Sequence, residues 1–94
     1  MAQHYNLFIA YDLMDFGKNY DGVREAIKSL GKWYQFQFSL FYVNTPLTAG
    51  EAHAAVRKAM DADDRLCVVE AIGARVSTYP MPDVEAVNFA WLSS

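Results

Sequence analysis

The sequence predicts a small α+β fold, and three observations carry that prediction. Apolar and aromatic runs of the kind that form buried strands begin at Tyr5, Trp33 and Leu66. Between them lie two segments whose apolar residues recur at helical spacing. The 94 residues suit one domain, and no repeat or long linker divides them. We therefore treat residues 1–94 as a single domain.

The first two elements are a strand and a helix. Residues 5–13 (YNLFIAYDL) are apolar and aromatic with a charge only near the end, which is typical of a buried strand. The next segment places apolar residues at i, i+3, i+4 and i+7, which predicts one buried helix face: Val23, Ala26, Ile27 and Leu30. Gly31 stands where a left-handed C-terminal cap is expected.

The middle of the chain is expected to hold two strands and a second helix. Residues 33–44 (WYQFQFSLFYVN) exceed the usual strand length of about 5–6 residues, so we divide them near Phe38 and Ser39. Thr48 and Glu51 have the spacing of a capping box at the start of a helix. The apolar stripe of that helix follows: Ala52, Ala55, Val56, Ala59 and Met60.

The last third of the chain is predicted to add strands. Residues 66–72 (LCVVEAI) are typical of a buried strand, with Cys67 as a buried thiol, and residues 76–81 of an edge or loop segment. In residues 84–92 large apolar side chains alternate with small or polar ones, which predicts a strand with one apolar face: Val87, Phe89 and Trp91. The resulting order is β-α-β-β-α-β plus one strand, a ferredoxin-like sandwich with an additional C-terminal strand.

The apolar content favours a homodimer. Hydrophobic residues make up 53% of the chain and aromatic residues 15%, which is more than one small core readily buries. The predicted C-terminal strand is suited to extending a neighbour's sheet. We therefore expect a dimer interface at three residues: Val87, Phe89 and Trp91.

Charge and cysteine content restrict the partners and the compartment. The net charge is −3, and nucleic-acid binders usually carry a basic excess, so any phosphate contact depends on where the eight Lys and Arg lie. A single cysteine forms no internal disulfide, which fits a reducing compartment. Neither a secretory signal nor a membrane-spanning run is evident. We expect a cytoplasmic protein without a membrane partner.

Asp12 is the main candidate functional residue. It closes the apolar first strand, where a carboxylate can hold a divalent cation or act as a general base. The alternative is an Asp that binds amides of the following loop, and local sequence alone favours this role. The acidic residues of 61–64 lack the glycine and the spacing of a calcium loop, which indicates a solvated turn. Trp33 and Tyr34 are expected in a core or interface, with base stacking as the alternative.

Three short features occur in order within residues 5–72: the segments 11–13 (YDL) and 37–41 (QFSLF), and Asp64 before the last core strand. Together they resemble the small ferredoxin-like CRISPR-associated family, the lesser subunit of the spacer-integration machinery, whose relatives include VapD-type toxin ribonucleases. The segments 17–20 (GKNY) and 39–43 (SLFYV) are similar to non-CRISPR members of the same superfamily.

The resemblance implies a site shared by two subunits. In that family the first-strand Asp of each subunit faces its twin and the pair binds one divalent metal, which assigns the catalytic and metal-binding role to Asp12, with Mg²⁺ or Mn²⁺ as cofactor. Two facing carboxylates repel each other unless a cation or a proton lies between them. The implied substrate-binding residues are Ser39, Phe41, Lys18 and Arg24.

Two functions follow from these patterns. The first is a homodimeric, nucleic-acid-associated protein that cleaves DNA or RNA with a metal at Asp12. The second is a non-catalytic module that binds a protein partner on the same dimeric scaffold. Gln35 stands where the family often carries an arginine, and the shortage of basic residues favours the second function. The segments around Asp12 and Phe38 favour the first.

Overall fold

The protein has an α+β structure, in a computed structural model that describes residues 4–13, 20–75, 77 and 81–92. Its described strands form one antiparallel sheet in the spatial order β2-β3-β1-β4, so β2 and β4 are the edges. The described residues also form three helices. The elements, in chain order, are β1 (Tyr5–Asp12), α1 (Tyr20–Lys28), β2 (Lys32–Gln37), β3 (Leu40–Thr45), α2 (Ala49–Arg57), β4 (Arg65–Glu70) and α3 (Met81–Leu92).

The main core lies between one face of the sheet, here called the helical face, and the helices α1 and α2. Alternate residues of β1 point into it, and Leu7 and Ile9 are fully buried. Val23 and Ile27 of α1 complete this core as their helical spacing predicted, and α2 adds two more residues. Because the apolar period matches the element type in each case, local pattern and tertiary packing agree here. The α2 residues are Ala52 and Val56.

Two predicted boundaries are confirmed: the division between β2 and β3, and the start of α2. Residues 38 and 39 form the turn between β2 and β3, where the long β-prone segment was divided. The Thr48 hydroxyl accepts a hydrogen bond from the Glu51 amide at 3.2 Å, and the Glu51 carboxylate accepts one from the Thr48 amide at 2.9 Å. The predicted capping box therefore begins α2.

Gly31 has a different role from the one predicted. Its φ lies outside the left-handed region, so it is not a left-handed cap. The chain instead passes so close to β3 that a Cβ at this position would lie 2.0 Å from the main-chain oxygen of Asn44. Only glycine allows this approach of two backbones.

The predicted C-terminal strand is wrong, because residues 81–92 form the helix α3. Pro82 and Asp83 suit the first turn of a helix, and the half-buried residues Val84, Val87 and Trp91 also follow a helical period. Alternation over so few residues fits both element types, and packing against the sheet decides between them. Of the predicted edge or loop segment 76–81, positions 76 and 78–80 lie outside the described residues.

The helix α3 covers part of the sheet face opposite to α1 and α2, here called the second face. The Trp91 ring stacks on Tyr42 of β3, with centroids 5.6 Å apart and planes at 16°. The Asn44 amide donates a hydrogen bond to the carbonyl oxygen of Ala90 at 3.1 Å, which satisfies a carbonyl near the helix end. No described helix has the length and apolarity needed to cross a bilayer.

A polar network fixes the second face under α3. Asn6 accepts hydrogen bonds from the Tyr42 hydroxyl at 2.6 Å and from the Asn44 amide at 3.2 Å. The Asn44 side-chain oxygen also lies 2.7 Å from Nδ1 of His4. Burial raises the pKa of Tyr42 to about 12, so its hydroxyl remains a donor at neutral pH. The hydrogen-bond requirements of these groups define where α3 docks.

Candidate functional site

Asp12 lies at the end of β1, and its side chain is exposed. It pairs in register with Arg65 of β4, and the preceding pair on the same face is Ala10 with Cys67. These four residues, here called the open patch, line a shallow depression of about 250 Å³ on the second face. The depression offers one carboxylate and one guanidinium beside two small side chains. A second molecule can therefore approach the sheet closely at this point.

The open patch is uncovered because α3 packs over a different part of the second face. The aromatic contacts of Trp91 reach Phe8 and Tyr42, whereas Ala10 is exposed. The prediction of a buried Cys67 is wrong, since this thiol is exposed. Edge position explains the difference: β4 has a neighbouring strand only on the β1 side.

A main-chain hydrogen bond connects Ser39 to the end of β1, next to Asp12. Ser39 occupies the turn before β3, where its carbonyl oxygen accepts a hydrogen bond from the Tyr11 amide at 3.1 Å. Phe41 lies on the helical face, fully buried, with its ring 6.4 Å from that of Tyr11. The two predicted substrate-binding residues therefore differ in access: Ser39 is half-buried beside the site, and Phe41 is beneath it in the core.

Arg24 and Asp12 lie on opposite faces of the sheet. The Arg24 guanidinium sits 5.4 Å above the Phe38 ring on the helical side and forms an ion pair with Asp21. Burial raises the pKa of the Tyr11 hydroxyl on this same side, while the positive charge of Arg24 acts to lower it. The structure thus does not bring Arg24 to the open patch. Lys18, the other predicted basic contact, lies outside the described residues.

The residues predicted for a dimer interface lie on the helix α3 and not on a strand. In a helix of about 3.6 residues per turn, Val87 and Trp91 are neighbours. Trp91 packs inside its own chain against Phe8 and Tyr42. Val87 is half-buried, and the side chain of Phe89 lies outside the part that the structure describes. The strand from which the interface was inferred is therefore wrong, and the interface itself stays a prediction.

A single chain offers few metal ligands at the open patch. Within residues 4–13, 20–75, 77 and 81–92, no group of three or more His, Cys, Asp or Glu side chains is placed to hold a metal ion. Asp12 supplies hard carboxylate oxygens, the ligand type that Mg²⁺ and Mn²⁺ prefer, but only from one residue. A cation there requires a second Asp12 from another copy, together with water.

The acidic turn after α2 is built around an arginine. The Arg57 guanidinium donates hydrogen bonds to the carbonyl oxygens of Asp61, Ala62 and Asp64 at 2.7–2.8 Å. The Asp64 carboxylate is buried and accepts a hydrogen bond from the Asp61 amide at 2.8 Å. The expectation of a turn rather than a calcium loop agrees with this geometry, but the turn is internally bonded, not merely solvated.

Sequence reasoning missed a second surface, which lies along α1 and β2. The Lys28 ammonium lies 4.6 Å from the centre of the Trp33 ring. This contact is of the same kind as that of Arg24 with Phe38. Trp33 is 45% exposed and Phe38 61% exposed, so Trp33 is not a core residue, and its alternative place in an interface stays a prediction. The signal was present in the sequence, because Arg24 and Lys28 are four residues apart and lie on one side of a helix.

The comparisons with known proteins return no relative. No protein-family model, no curated protein and no solved structure matches the chain. The function must therefore be argued from the residues and their geometry.

Proposed function

We propose that this chain is a homodimeric, nucleic-acid-associated protein with a ferredoxin-like fold, in which two Asp12 carboxylates share one divalent cation, Mg²⁺ or Mn²⁺. The order of the first six elements and the sheet order β2-β3-β1-β4 support the ferredoxin-like assignment. The segment around Asp12 and the segment 37–41 (QFSLF) support kinship with the small CRISPR-associated family. The single cysteine supports a cytoplasmic location.

The observation that carries this proposal is the exposed carboxylate of Asp12 in the open patch. An Asp that leaves a strand can bind loop amides, but this one lines a depression next to Arg65. Ala10 and Cys67 are small enough to let a twin subunit approach. Two Asp12 side chains brought together in this way repel each other, and a shared cation removes that repulsion.

The chemistry proposed for this site is phosphodiester hydrolysis. A divalent cation held by two carboxylates would supply an activated water molecule for attack on phosphorus. Arg65 is placed to hold a non-bridging phosphate oxygen beside Asp12. The turn carbonyl of Ser39 holds the Tyr11 amide and so fixes the end of β1, while Phe41 supports the same strand from the core.

A second candidate is a non-catalytic module that binds a protein through the β4 edge. Val69 is 49% exposed, and Ile72, just beyond the strand, is 99% exposed. An uncovered edge strand flanked by apolar side chains is suited to pairing with an extended peptide. This alternative needs neither a metal nor an excess of positive charge.

The variant Asp12→Asn separates the two candidates. It keeps the size of the side chain and removes the charge, so it should abolish Mn²⁺ binding in calorimetry and any metal-dependent cleavage of RNA or DNA. The dimer mass measured by light scattering should persist. The matched control is Glu70→Gln, which makes the same chemical change at the other end of the β1–β4 ladder, about 17 Å away.

Three outcomes would sink the proposal. One is wild-type protein that cleaves neither RNA nor DNA with Mg²⁺, Mn²⁺ or Ca²⁺. Another is Mn²⁺ binding that survives Asp12→Asn. The third is a monomer at micromolar concentration, near the 10.6 kDa mass of one chain, because one Asp12 alone is a poor cation site.

A further inference from the structure

We propose that the surface formed by Arg24, Lys28, Trp33 and Phe38, here called the α1–β2 surface, binds a single strand of nucleic acid. Its aromatic rings would stack on bases and its cations would hold phosphates. This inference rests on the nucleic-acid association proposed above, but it uses neither Asp12 nor a cation.

Both aromatic rings of this surface are exposed. Trp33 lies on the edge strand β2 and Phe38 in the turn that follows it, and they are 45% and 61% exposed. Large aromatic side chains left this open lose part of the stabilisation that full burial would contribute. One side of each ring packs within the chain, Trp33 on Phe41 at 6.0 Å and Phe38 on Tyr20 at 4.9 Å. The rest of each ring stays open to a ligand.

Each exposed ring has a cation over it. Arg24 lies over Phe38 and Lys28 lies over Trp33, at 5.4 and 4.6 Å from the ring centres. Gln35, which lies between Trp33 and Phe38 in the sequence, donates a hydrogen bond to the Phe38 carbonyl oxygen at 3.2 Å. The surface therefore carries two pairs of one ring and one cation. Basic groups interleaved with aromatic rings are the usual composition of a single-strand binding groove.

The charge of this acidic chain is unevenly distributed. Residues 18–32 carry four of the eight Lys and Arg and only two acidic residues, a net charge of +2. The chain carries −3, so the rest of it carries −5. Of the cations in residues 18–32, Arg24 and Lys28 lie beside the exposed rings, where each also forms an ion pair with an acidic residue of α1. Cations within reach of exposed rings favour a phosphate backbone over a neutral peptide.

A single strand fits this surface better than a duplex. Base faces are buried in the stack of a duplex and are available for aromatic stacking only in single strands. The surface lies at an edge of the sheet with two cations among the described residues, too few for the many phosphate contacts of a duplex groove. We therefore assign the rings to bases and the cations to the adjoining phosphates.

The test is anisotropy of fluorescently labelled homopolymers, oligothymidine and oligouridine of about 20 nucleotides, at low salt. Trp33→Ala and Phe38→Ala should each weaken binding roughly 5- to 150-fold, the range for losing one base stack. His53→Ala is the control, because it removes an exposed ring from α2, away from this surface. It should leave the affinity unchanged. If either Ala variant fails to melt cooperatively, Trp33→Leu and Phe38→Leu remove the ring but keep apolar bulk.

The cations are tested by salt dependence. The double variant Arg24→Gln with Lys28→Gln should reduce the slope of log affinity against log salt by about 1.4, two phosphate contacts to a single strand. Lys58→Gln, an exposed lysine just after α2, should leave the slope unchanged. Oligonucleotide binding is measured with EDTA present, so it does not depend on a cation at Asp12. Wild-type protein that binds the oligonucleotides but binds no Mn²⁺ would therefore contradict only the Asp12 proposal.

Several results would overturn the inference. Wild-type protein that does not bind either homopolymer, or binds a duplex as tightly, contradicts it. Ring variants that bind like wild type contradict it as well. If the ring variants instead change the mass in light scattering from dimer to monomer, the α1–β2 surface is an interface between copies of the chain, and the single-strand assignment fails.

Discussion

The two strand–helix–strand halves of this protein use their cations in opposite ways. In the first half, α1 places Arg24 and Lys28 over exposed aromatic rings at the sheet edge. In the second half, α2 places Arg57 against three main-chain carbonyl oxygens of its own turn. Both helices have nine residues and pack on the same sheet face. The two halves therefore have the same local architecture but different uses of their cations. Those of the first half lie at the surface, and Arg57 of the second half stabilises its own turn.

Hydrogen-bond satisfaction explains the difference. The turn between α2 and β4 leaves carbonyl oxygens without helical or strand partners, and a five-donor guanidinium satisfies several of them at once. The first half instead enters β2 directly through Gly31, where two backbones touch. The amides of the short connection after α1 are bonded back to the helix, and the cations of α1 contact surface rings instead.

The largest difference between the halves is expected in the free energy of unfolding when a glycine of each half is changed to alanine. Gly31→Ala would place a Cβ 2.0 Å from the Asn44 carbonyl oxygen, and backbone atoms cannot move aside easily. We expect a loss of about 3 kcal/mol in the free energy of unfolding, measured in urea. Gly50→Ala, with no atom within 4 Å and a position in α2, should instead stabilise by roughly 0.5–1 kcal/mol. Equal effects of the two changes would remove this distinction.

The brace in the second half is tested by Arg57→Met. This variant keeps the aliphatic length but leaves three carbonyl oxygens without their donor. We expect destabilisation by roughly 1–3 kcal/mol, since hydrogen bonds to a charged group are among the stronger ones. Lys58→Met at the neighbouring exposed position is the control and should change stability little. A thermal melt that is the same for both variants would show that the turn does not depend on Arg57.

The start of α2 is expected to contribute less than its end. Thr48→Ala removes the hydroxyl that accepts the Glu51 amide hydrogen and so opens the capping box. The expected loss is about 1 kcal/mol, the usual value for a helix N-cap. Thr48→Ser keeps the hydroxyl and should retain most of the stability in the same urea titration. If Ser and Ala behave alike, the cap is not what begins this helix.

The cations of the first half should matter little to folding. Arg24→Gln and Lys28→Gln each remove one exposed cation–aromatic contact and one exposed ion pair to Asp21 or Glu25. We expect a loss of about 0.5 kcal/mol or less per variant. A loss as large as that of Arg57→Met would mean that both halves use their cations structurally, and the comparison between them would fail.

The smallest expected effect is a titration shift. Burial raises the pKa of Tyr11, and Arg24 opposes that rise, so Arg24→Gln should raise the pKa of Tyr11 further. A raised folded pKa contributes stability that is complete below about pH 10 and is lost as pH rises through the folded value. NMR of ¹³C-labelled tyrosine rings at alkaline pH measures this directly. Lys28→Gln, which does not touch Tyr11, is the control.

Local sequence predicted the first six elements because each has a signal that packing reinforces. Val23 and Ile27 follow the helical period, and Thr48 with Glu51 forms the capping box. The candidate site was predictable only in part. Asp12 could be named from its position after an apolar strand, but its neighbour Arg65 depends on strand pairing across the sheet. The exposed rings of the α1–β2 surface depend on which strand lies at the edge.

The sequence by itself determined the order of the first six elements, the core residues of β1, α1 and α2, and the carboxylate at the end of β1. These depend on periodicity and capping, which act over a few neighbouring residues. Tertiary structure decided that residues 81–92 form a helix, because an uncovered aromatic sheet face, with Asn44 ready to bind the Ala90 carbonyl, favours a helix there. It also decided that Arg24 and Asp12 lie on opposite faces of the sheet. Such choices depend on residues distant in the chain, whose meeting no local pattern encodes.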